Sequence, residues 1–530
     1  MNAKHQGFLD WVIYQIYPRS FYDTNHDGIG DIPGVIAKLD YLQELGVNAI
    51  WMCPCYKSPN YDNGYDVADY RDIMDEFGTM DDIRRLIAEM DRRGMKLIMD
   101  LVPNHTSHLH KWFQESRKSK DNPYSDYYYW ADKPLNDWTS CFCGSAWDYD
   151  EVRGQYYLHS YAIQQPDLNW NNPKVVKEIQ DVIDFWVDMG VAGFRVDVID
   201  QISKDFEGGV NAFGPRLHEF IHAMFGRDNV RHIFTVGECW TGNPAEIRRH
   251  IGEERGELST LFEFSHTNAG RSDKWTPKAD SLKSVRDILI RWQKQMQKDD
   301  LLYSLFTDNH DQNAFNSRIG NDRELRYESA TCIAAMFYLL RGIPFIYQGQ
   351  EIGRAGSHYE DISAFRDVEC LNQYREFVDN GMDAQTALEK INFGSRDNPR
   401  RPMAWDNSPY YGFSDAEPWM PVASRGGEIN LENDLKAERS VFRFYQAVLK
   451  LRKEHGAFRQ GTFDVLSRKE DNFFAYERSL GEEKFTVVCN FEVPSEINCP
   501  GMTGAPVLTN CNMQAGEHRF PLYGVAVYRN

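Results

Sequence analysis

From Lys174 to Val198 the chain reads KVVKEIQDVIDFWVDMGVAGFRVDV. Two periodicities meet there. Between Lys174 and Met189 the apolar residues Val175, Ile179, Val182, Ile183 and Trp186 recur at three- and four-residue steps, the stripe of an amphipathic helix. From Gly193 to Val198 the period drops to two, as in a strand, and Arg195 and Asp197 share one side of it. A helix running into a buried strand is one repeat of a βα architecture.

The same alternation extends in both directions. Strands are expected at Val12–Tyr17, Ala49–Cys53, Lys96–Val102, Gly193–Val198, Phe234–Gly237, Leu258–Phe264, Leu302–Phe306 and Ile343–Tyr347. Helices such as Ile32–Leu45, Met80–Arg93, Lys174–Met189 and Glu324–Arg341 lie between them. Eight such units predict an α/β fold, a closed (β/α)8 TIM barrel formed by residues 1–104 and 171–455. Residues 105–170, rich in Tyr, Trp, Asp and Asn, interrupt the rhythm after the third strand and read as an inserted subdomain over the barrel's C-terminal face. Residues 456–530 turn to alternating strands at Thr462–Leu466, Phe473–Arg478 and Phe485–Asn490, an antiparallel, sandwich-like β domain.

Composition narrows the function. The chain has 530 residues, 42% of them hydrophobic, enough for a large core, and a formal net charge of -20. Its acidic residues are scattered and no Lys/Arg stripe could follow a phosphate backbone, which excludes nucleic acid as partner. The longest apolar run, Cys332–Leu340, is too short to span a bilayer, and Met1–Asp10 shows no leader pattern. The expected location is the cytoplasm, as a monomer or weak homo-oligomer. The ten cysteines fit free thiols: Cys53/Cys55 and Cys141/Cys143 lack accompanying histidines at zinc spacing.

Polar residues gather at the strand ends. Asp100-LVPN-His105 closes strand three, Arg195-V-Asp197 strand four, Thr235-VG-Glu238 strand five and Asp308-N-His310-Asp311 strand seven. Cleaving a glycosidic bond takes two carboxyl groups flanking it, one to attack and one to deliver a proton. An arginine beside the attacking carboxylate lowers its pKa and keeps it ionised. One polar strand end is commonly a structural ion pair; four facing one barrel mouth form a site.

These segments resemble the signature regions of the α-amylase family of glycoside hydrolases, and Gln165-P-Asp167-LN resembles the mark of its oligo-1,6-glucosidase branch. Trp11-VIYQIYPRSF, Asp62-NGYD, Tyr347-QGQE and Arg396-DNPRRPMAW extend the resemblance over the chain. It implies Asp197 as nucleophile, Glu238 as acid/base and Asp311 as transition-state stabiliser. It also implies a glucose subsite completed by Arg195, His105 and His310, with Asp62 and Arg400 on the 4-hydroxyl, Tyr65 stacked on the ring, and Phe142 and Tyr161 as walls. Small α-glucosides are the implied substrates. Val198 after the nucleophile resembles relatives that prefer α-1,6 linkages.

The loop Asp23-T-Asn25-H-Asp27-G-Ile29-G-Asp31 places oxygens at alternate positions around a glycine turn, a pattern for a hard cation. The family's loop after the first strand implies structural calcium on Asp23, Asn25, Asp27, the Ile29 carbonyl and Asp31. Departures from the branch cluster near the entrance: a short Ser203–Gly214 segment, Asn313-Ala314, Tyr161, and Pro399 and Arg401 around Arg400. They leave open a broader α-glucosidase, a trehalose-6-phosphate hydrolase, and a sucrose isomerase or transglucosylase; the alternative of another class is a non-catalytic sugar-binding or transporter-associated relative.

Overall fold

A computed structural model describes residues 7–252 and 256–530; part of the Met1–Asp10 stretch therefore lies outside the described residues. Eight parallel strands form one sheet: β1 Ile13–Ile16, β2 Ala49–Met52, β3 Lys96–Leu101, β4 Gly193–Val196, β5 Phe234–Glu238, β6 Thr260–Phe262, β7 Ser304–Leu305 and β8 Ile343–Tyr347. The hydrogen-bonded order is β6-β5-β4-β3-β2-β1-β8-β7, which brings β6 and β7 together at the seam. Side chains close that seam: Thr260 Oγ1 donates to the Leu302 carbonyl (3.0 Å) and Ser304 Oγ to that of Leu261 (2.5 Å). The barrel of the sequence reading is present, near-closed by its backbone ladder.

Strand parity sorts the core. Ile13, Trp51, Ile98, Phe234, Val236, Phe262 and Phe345 pack inside the barrel, while Tyr14, Ile50, Leu97, Phe194 and Val196 face the helices. Gly193 pairs with Phe234 and Ile98, so its missing side chain belongs inside. A Cβ there would stand 2.3 Å from the Phe234 carbonyl oxygen, which only glycine avoids. Two and four residues on, the same parity carries Arg195 and Asp197 to the mouth.

The helix before β4 runs Pro173–Met189, with Pro at its start, Asn172 accepting from the Lys174 N–H, and Gly190 in the left-handed conformation (φ 108°) at its end. Its buried stripe, Val175, Ile179, Val182, Ile183 and Trp186, is the one read from the sequence. Each such side chain contributes about 1.5–3 kcal/mol by burial. The helix expected over Ile32–Leu45 is two, Ile32–Ala37 and Leu39–Leu45, because Lys38 leaves helical geometry (φ -105°, ψ 8°) and lays its ammonium over Tyr22 and Trp405 (4.0 and 4.1 Å).

Inside 105–170, strands Trp130–Ala131, Trp147–Asp150 and Gln155–Leu158 form an antiparallel sheet tied back to the barrel by the His105–Asp167 bridge. At the C-terminal end, β9 Thr462–Val465, β10 Phe473–Leu480, β11 Glu483–Asn490, β12 Leu508–Thr509 and β13 Val525–Arg529 form an antiparallel sheet ordered β9-β10-β11-β13-β12. Arg286, fully buried, docks it by donating to the carbonyls of Lys469 (2.8 Å), Asp471 (2.5 Å) and Phe473 (3.1 Å). Among the described residues no helix is long and apolar enough to cross a membrane.

Candidate active site

The C-terminal ends of β3, β4, β5 and β7 meet at one mouth, and its centre is Arg195. Nη1 of Arg195 donates to Asp197 Oδ1 (2.6 Å) and Asp100 Oδ1 (2.9 Å), while Nη2 pairs with Glu238 Oε2. Asp197 and Glu238 are therefore held on neighbouring nitrogens of one guanidinium. Trp51 Nε1 and the Tyr65 hydroxyl donate to Asp100 Oδ2 (3.2 and 3.0 Å), fixing the third carboxylate.

The electrostatics differ from the expectation that Arg195 would simply hold Asp197 below its ordinary range. One cation is divided among three buried carboxylates. Burial pushes Asp197 up, Arg195 is the largest opposing charge, and Glu238 and Asp100 add to the rise. Burial likewise lifts Asp100 to about 6 against the pull of Arg195. Because one guanidinium serves three acids, its pull on Asp197 is divided and does not overcome burial.

Asp311 sits in the opposite setting. Arg400 Nη2 donates to its Oδ1 (2.6 Å), His310 Nε2 lies 3.1 Å from Oδ2, and Arg396 approaches at 3.8 Å. Burial opposes its charge, but His310, Arg400 and Arg396 more than reverse that and hold it well below the usual carboxylate range. Burial pushes His310 itself down to about 3, so above that pH the two arginines carry the effect. Gln15 Nε2 lies 2.8 Å from His310 Nδ1, and donation from this amide assigns the ring proton to Nε2. Tyr65 stacks on the ring, centroids 5.3 Å apart at 9°.

A pocket of about 530 Å³, in the range of small-molecule sites, is lined by Asp62, Tyr65, His105, Phe142, Tyr161, Asp197, Val198, Glu238, Asp311 and Arg396. Arg195 and His310 stand behind that lining and orient it. His105, kept neutral by burial that lowers it to about 4, meets Tyr161 at 5.2 Å, and Tyr161 meets Phe142 edge-on at 5.4 Å. The inserted subdomain thus supplies one wall.

Arg400, expected with Asp62 on the 4-hydroxyl, makes its hydrogen bonds elsewhere. It is fully buried and committed to Asp311, to Asp367 Oδ2 (2.9 Å) and to the His310 carbonyl (3.0 Å), so it does not share Asp62. Arg396, four residues earlier, does: its Nη2 donates to Asp62 Oδ1 (2.8 Å) and Asp367 Oδ1 (3.1 Å), and its guanidinium lies over Phe142 at 4.7 Å. Asp367 binds both arginines and so registers them to each other.

Other lining residues were missed. Trp240, 48% exposed, donates from Nε1 to Glu238 Oε1 (3.2 Å) and stacks on Phe264 at 4.1 Å. Asp200 lines the pocket, and burial raises it to about 7. An aromatic two positions after the acid strand and a carboxyl three after the nucleophile were the available signals. Arg271, Lys274 and Glu369 also line it, and Lys274 Nζ contacts both oxygens of Glu369 at 2.5 Å. Val198 adopts a left-handed conformation (φ 35°, ψ 49°), strained for a β-branched residue and imposed where the chain turns from Asp197 into the short turn Ile199–Gln201.

The loop Asp23–Asp31 follows β1. Asp23 accepts from the N–H groups of Asn25 (3.0 Å), His26 (2.8 Å) and Gly28 (2.9 Å), Asp27 accepts from Ile29 N–H (2.8 Å), and Asp31 caps the next helix through Gly34 N–H (2.6 Å). His26 (65°) and Gly28 (85°) adopt positive φ, and Asn25 Nδ2 donates to Asp27 Oδ2 (3.0 Å). The donors are all oxygens, so their chemistry fits a hard cation.

The α-amylase catalytic-domain model matches residues 15–461. The chain belongs to the α-amylase family. It is a glycoside hydrolase of that family, and among its relatives is the oligo-1,6-glucosidase of Parageobacillus thermoglucosidasius, 46% identical over 91% of this chain and 89% of that protein. The trehalose-6-phosphate hydrolase of Bacillus subtilis is 40% identical over 98% and 97% of the two chains. The crystal structure of isomaltulose synthase from Protaminobacter rubrum superposes with a TM-score of 0.93 at 38% identity, covering 98% of this chain and 99% of that one. This member of the family carries its four carboxylates (Asp100, Asp197, Glu238 and Asp311) at the barrel mouth.

Proposed function

We propose that the enzyme is a retaining, exo-acting α-glucosidase that releases glucose from the non-reducing end of short α-1,6-linked glucosides. The observation that carries this is the grip of one guanidinium on both Asp197 and Glu238. A span set by two nitrogens of Arg195 suits a retaining pair, about 5–5.5 Å apart, and is narrow for the about 6.5–9.5 Å of an inverting pair.

In this reading Asp197 attacks the anomeric carbon and forms a glucosyl ester while Glu238 gives its proton to the departing oxygen. Glu238 then takes a proton from water, which hydrolyses the ester with net retention. Asp311, kept ionised by Arg400 and Arg396, holds sugar hydroxyls as positive charge develops on the ring. Asp62 and Arg396, side by side on the pocket wall, take the 4-hydroxyl and close the end to a longer chain.

Val198 supports the α-1,6 preference by placing an apolar side chain beside the nucleophile. A phosphorylated leaving group finds less support: Glu369 neutralises Lys274, while Arg400 and Arg401 are turned into buried contacts. The oxygens of the Asp23–Asp31 loop support structural calcium, which would tie β1 to the following helix and carry no catalytic step. Ten free thiols favour a reducing compartment, the cytoplasm, with the enzyme as a monomer or weak homo-oligomer.

Initial rates on isomaltose, panose, maltose, sucrose, trehalose and trehalose 6-phosphate test the substrate. Isomaltose and panose leading the series is the expected result; trehalose 6-phosphate leading it would overturn the assignment.

A further inference from the structure

On the barrel's outer layer, the two helices that follow β4 and β5 bring a second polar group together. The helix Leu217–Phe225, which follows β4, presents His218. The helix Pro244–Ile251, which follows β5, presents Glu246 and His250, one turn apart on one face. Ligand-capable atoms of these three residues lie within 4.8 Å of one another, the only such group of His, Cys, Asp or Glu found among the described residues.

Each histidine already has one ring nitrogen anchored. His218 Nδ1 lies 2.7 Å from Glu257 Oε2, and His250 Nδ1 lies 2.8 Å from the Glu246 carbonyl oxygen. A carboxylate or backbone carbonyl on the outer nitrogen is the support that metal-binding imidazoles use to fix ring and tautomer. The other ring nitrogen of each is left: His218 Nε2, 2.9 Å from Glu246 Oε1, and His250 Nε2.

An imidazolium at His218 bridging Glu246 and Glu257 accounts for half of this arrangement. It leaves His250 unexplained. That residue is fully buried, and its Nε2 has no hydrogen-bond partner although it is a strong donor or acceptor whose burial unpaired is costly. An ion among the three residues supplies the missing partner.

We propose that His218 Nε2, His250 Nε2 and Glu246 Oε1 form a divalent transition-metal site of the zinc class. Two imidazoles and a carboxylate suit zinc or cobalt and exclude calcium as the preferred ion, and the fourth position is left to water. The ion takes the place of the proton between His218 Nε2 and Glu246 Oε1, which is released to solvent. Its role is to staple the two helices that follow the nucleophile and acid/base strands. No C-x-C pair takes part; Glu246 lies 28 residues after His218 and His250 four residues further on.

The test is titration of metal-free, full-length protein with Co²⁺, followed by its visible ligand-field bands, beside Zn²⁺-dependent melting. The expected result is one Co²⁺ per chain with four-coordinate bands, a rise in Tm with Zn²⁺, and loss of both in His250→Ala. Glu257→Gln, which weakens the outer support of His218 and leaves the three ligands in place, should weaken binding about 10- to 100-fold. Hydrolysis of an α-glucoside by each variant reports that it has folded; should His250→Ala fail, Glu257→Gln decides. No stoichiometric binding, equal binding by wild type and variants, or a near-ultraviolet thiolate band assigning the ion to cysteine would overturn the site.

Discussion

Replacing Arg396 by methionine separates the two arginines of the Arg396–Arg401 segment. The variant keeps the stem that lies over Phe142 and removes the guanidinium. Asp62 then retains only the Gln165 amide (3.0 Å), whereas Asp367 keeps Arg400 (2.9 Å) and Glu369 keeps Lys274 (2.5 Å). Breaking a buried ion pair costs about 3–5 kcal/mol, and because three of the four carboxylates that Arg396 pairs with (Asp311, Asp367 and Glu369, but not Asp62) have a second cation, the lower end, about 3 kcal/mol of stability, is expected. A charged hydrogen bond to a sugar hydroxyl contributes about 1.5–3 kcal/mol. At about 1.36 kcal/mol per decade, kcat/KM on isomaltose should fall roughly 10- to 150-fold. The decisive comparison uses a 4-deoxyglucoside. If Arg396 and Asp62 hold the 4-hydroxyl, deleting that hydroxyl slows the wild type strongly and Arg396→Met hardly further, whereas Arg400→Met keeps the full hydroxyl penalty. A full penalty in Arg396→Met and none in Arg400→Met would refute the assignment.

Val198→Thr should shift the ratio of kcat/KM for isomaltose over maltose toward maltose by about 1–3 kcal/mol, roughly 5- to 150-fold. Both residues are β-branched, so the left-handed backbone costs them alike and Tm should barely change. His266 lies among Phe306, Phe315 and Phe337, and burial lowers it to about 3. Below about pH 6.5 the unfolded chain takes up a proton that the native site refuses, so this group removes about 1.36 kcal/mol of stability per pH unit of acidification down to about 3. His266→Phe should therefore gain on the wild type by about that slope in denaturant melts between pH 6.5 and 4.5; parallel curves would count against it. Calcium at a hundredfold excess over Kd should add about 2.7 kcal/mol of stability to the chelated wild type and nothing to Asp27→Ala. Identical responses would remove the ion from the Asp23–Asp31 loop.

How much of this was readable in advance depended on regularity. Strands such as Ile343–Tyr347 are continuous apolar runs, and their positions followed directly. Leu258–Phe264 and Leu302–Phe306 shrink to three and two residues, because at the β6–β7 seam Thr260 and Ser304 side chains replace backbone pairing. The Lys38 break was invisible because the apolar stripe resumes in phase after it. In the site, residues on strands were legible: parity alone placed Arg195 and Asp197 on one side, and Glu238 was read at the end of the next strand. Arg396 and Arg400 were not separable, since they lie in an irregular loop where neither period applies and Asp367, far away in chain, decides which faces the pocket. The His218–His250 group escaped for a related reason, its residues coming from two separate helices that meet only in the fold.

The central claim is that Asp197 forms a covalent bond to glucose. Incubating the enzyme with 5-fluoro-α-glucosyl fluoride, which reacts readily and turns over slowly, and sequencing its peptides by mass spectrometry tests that claim. The expected result is one fluoroglucosyl adduct, on Asp197. An adduct on Asp100, Asp311 or Glu238, or turnover of the reagent to the β-anomer with no adduct, would contradict it.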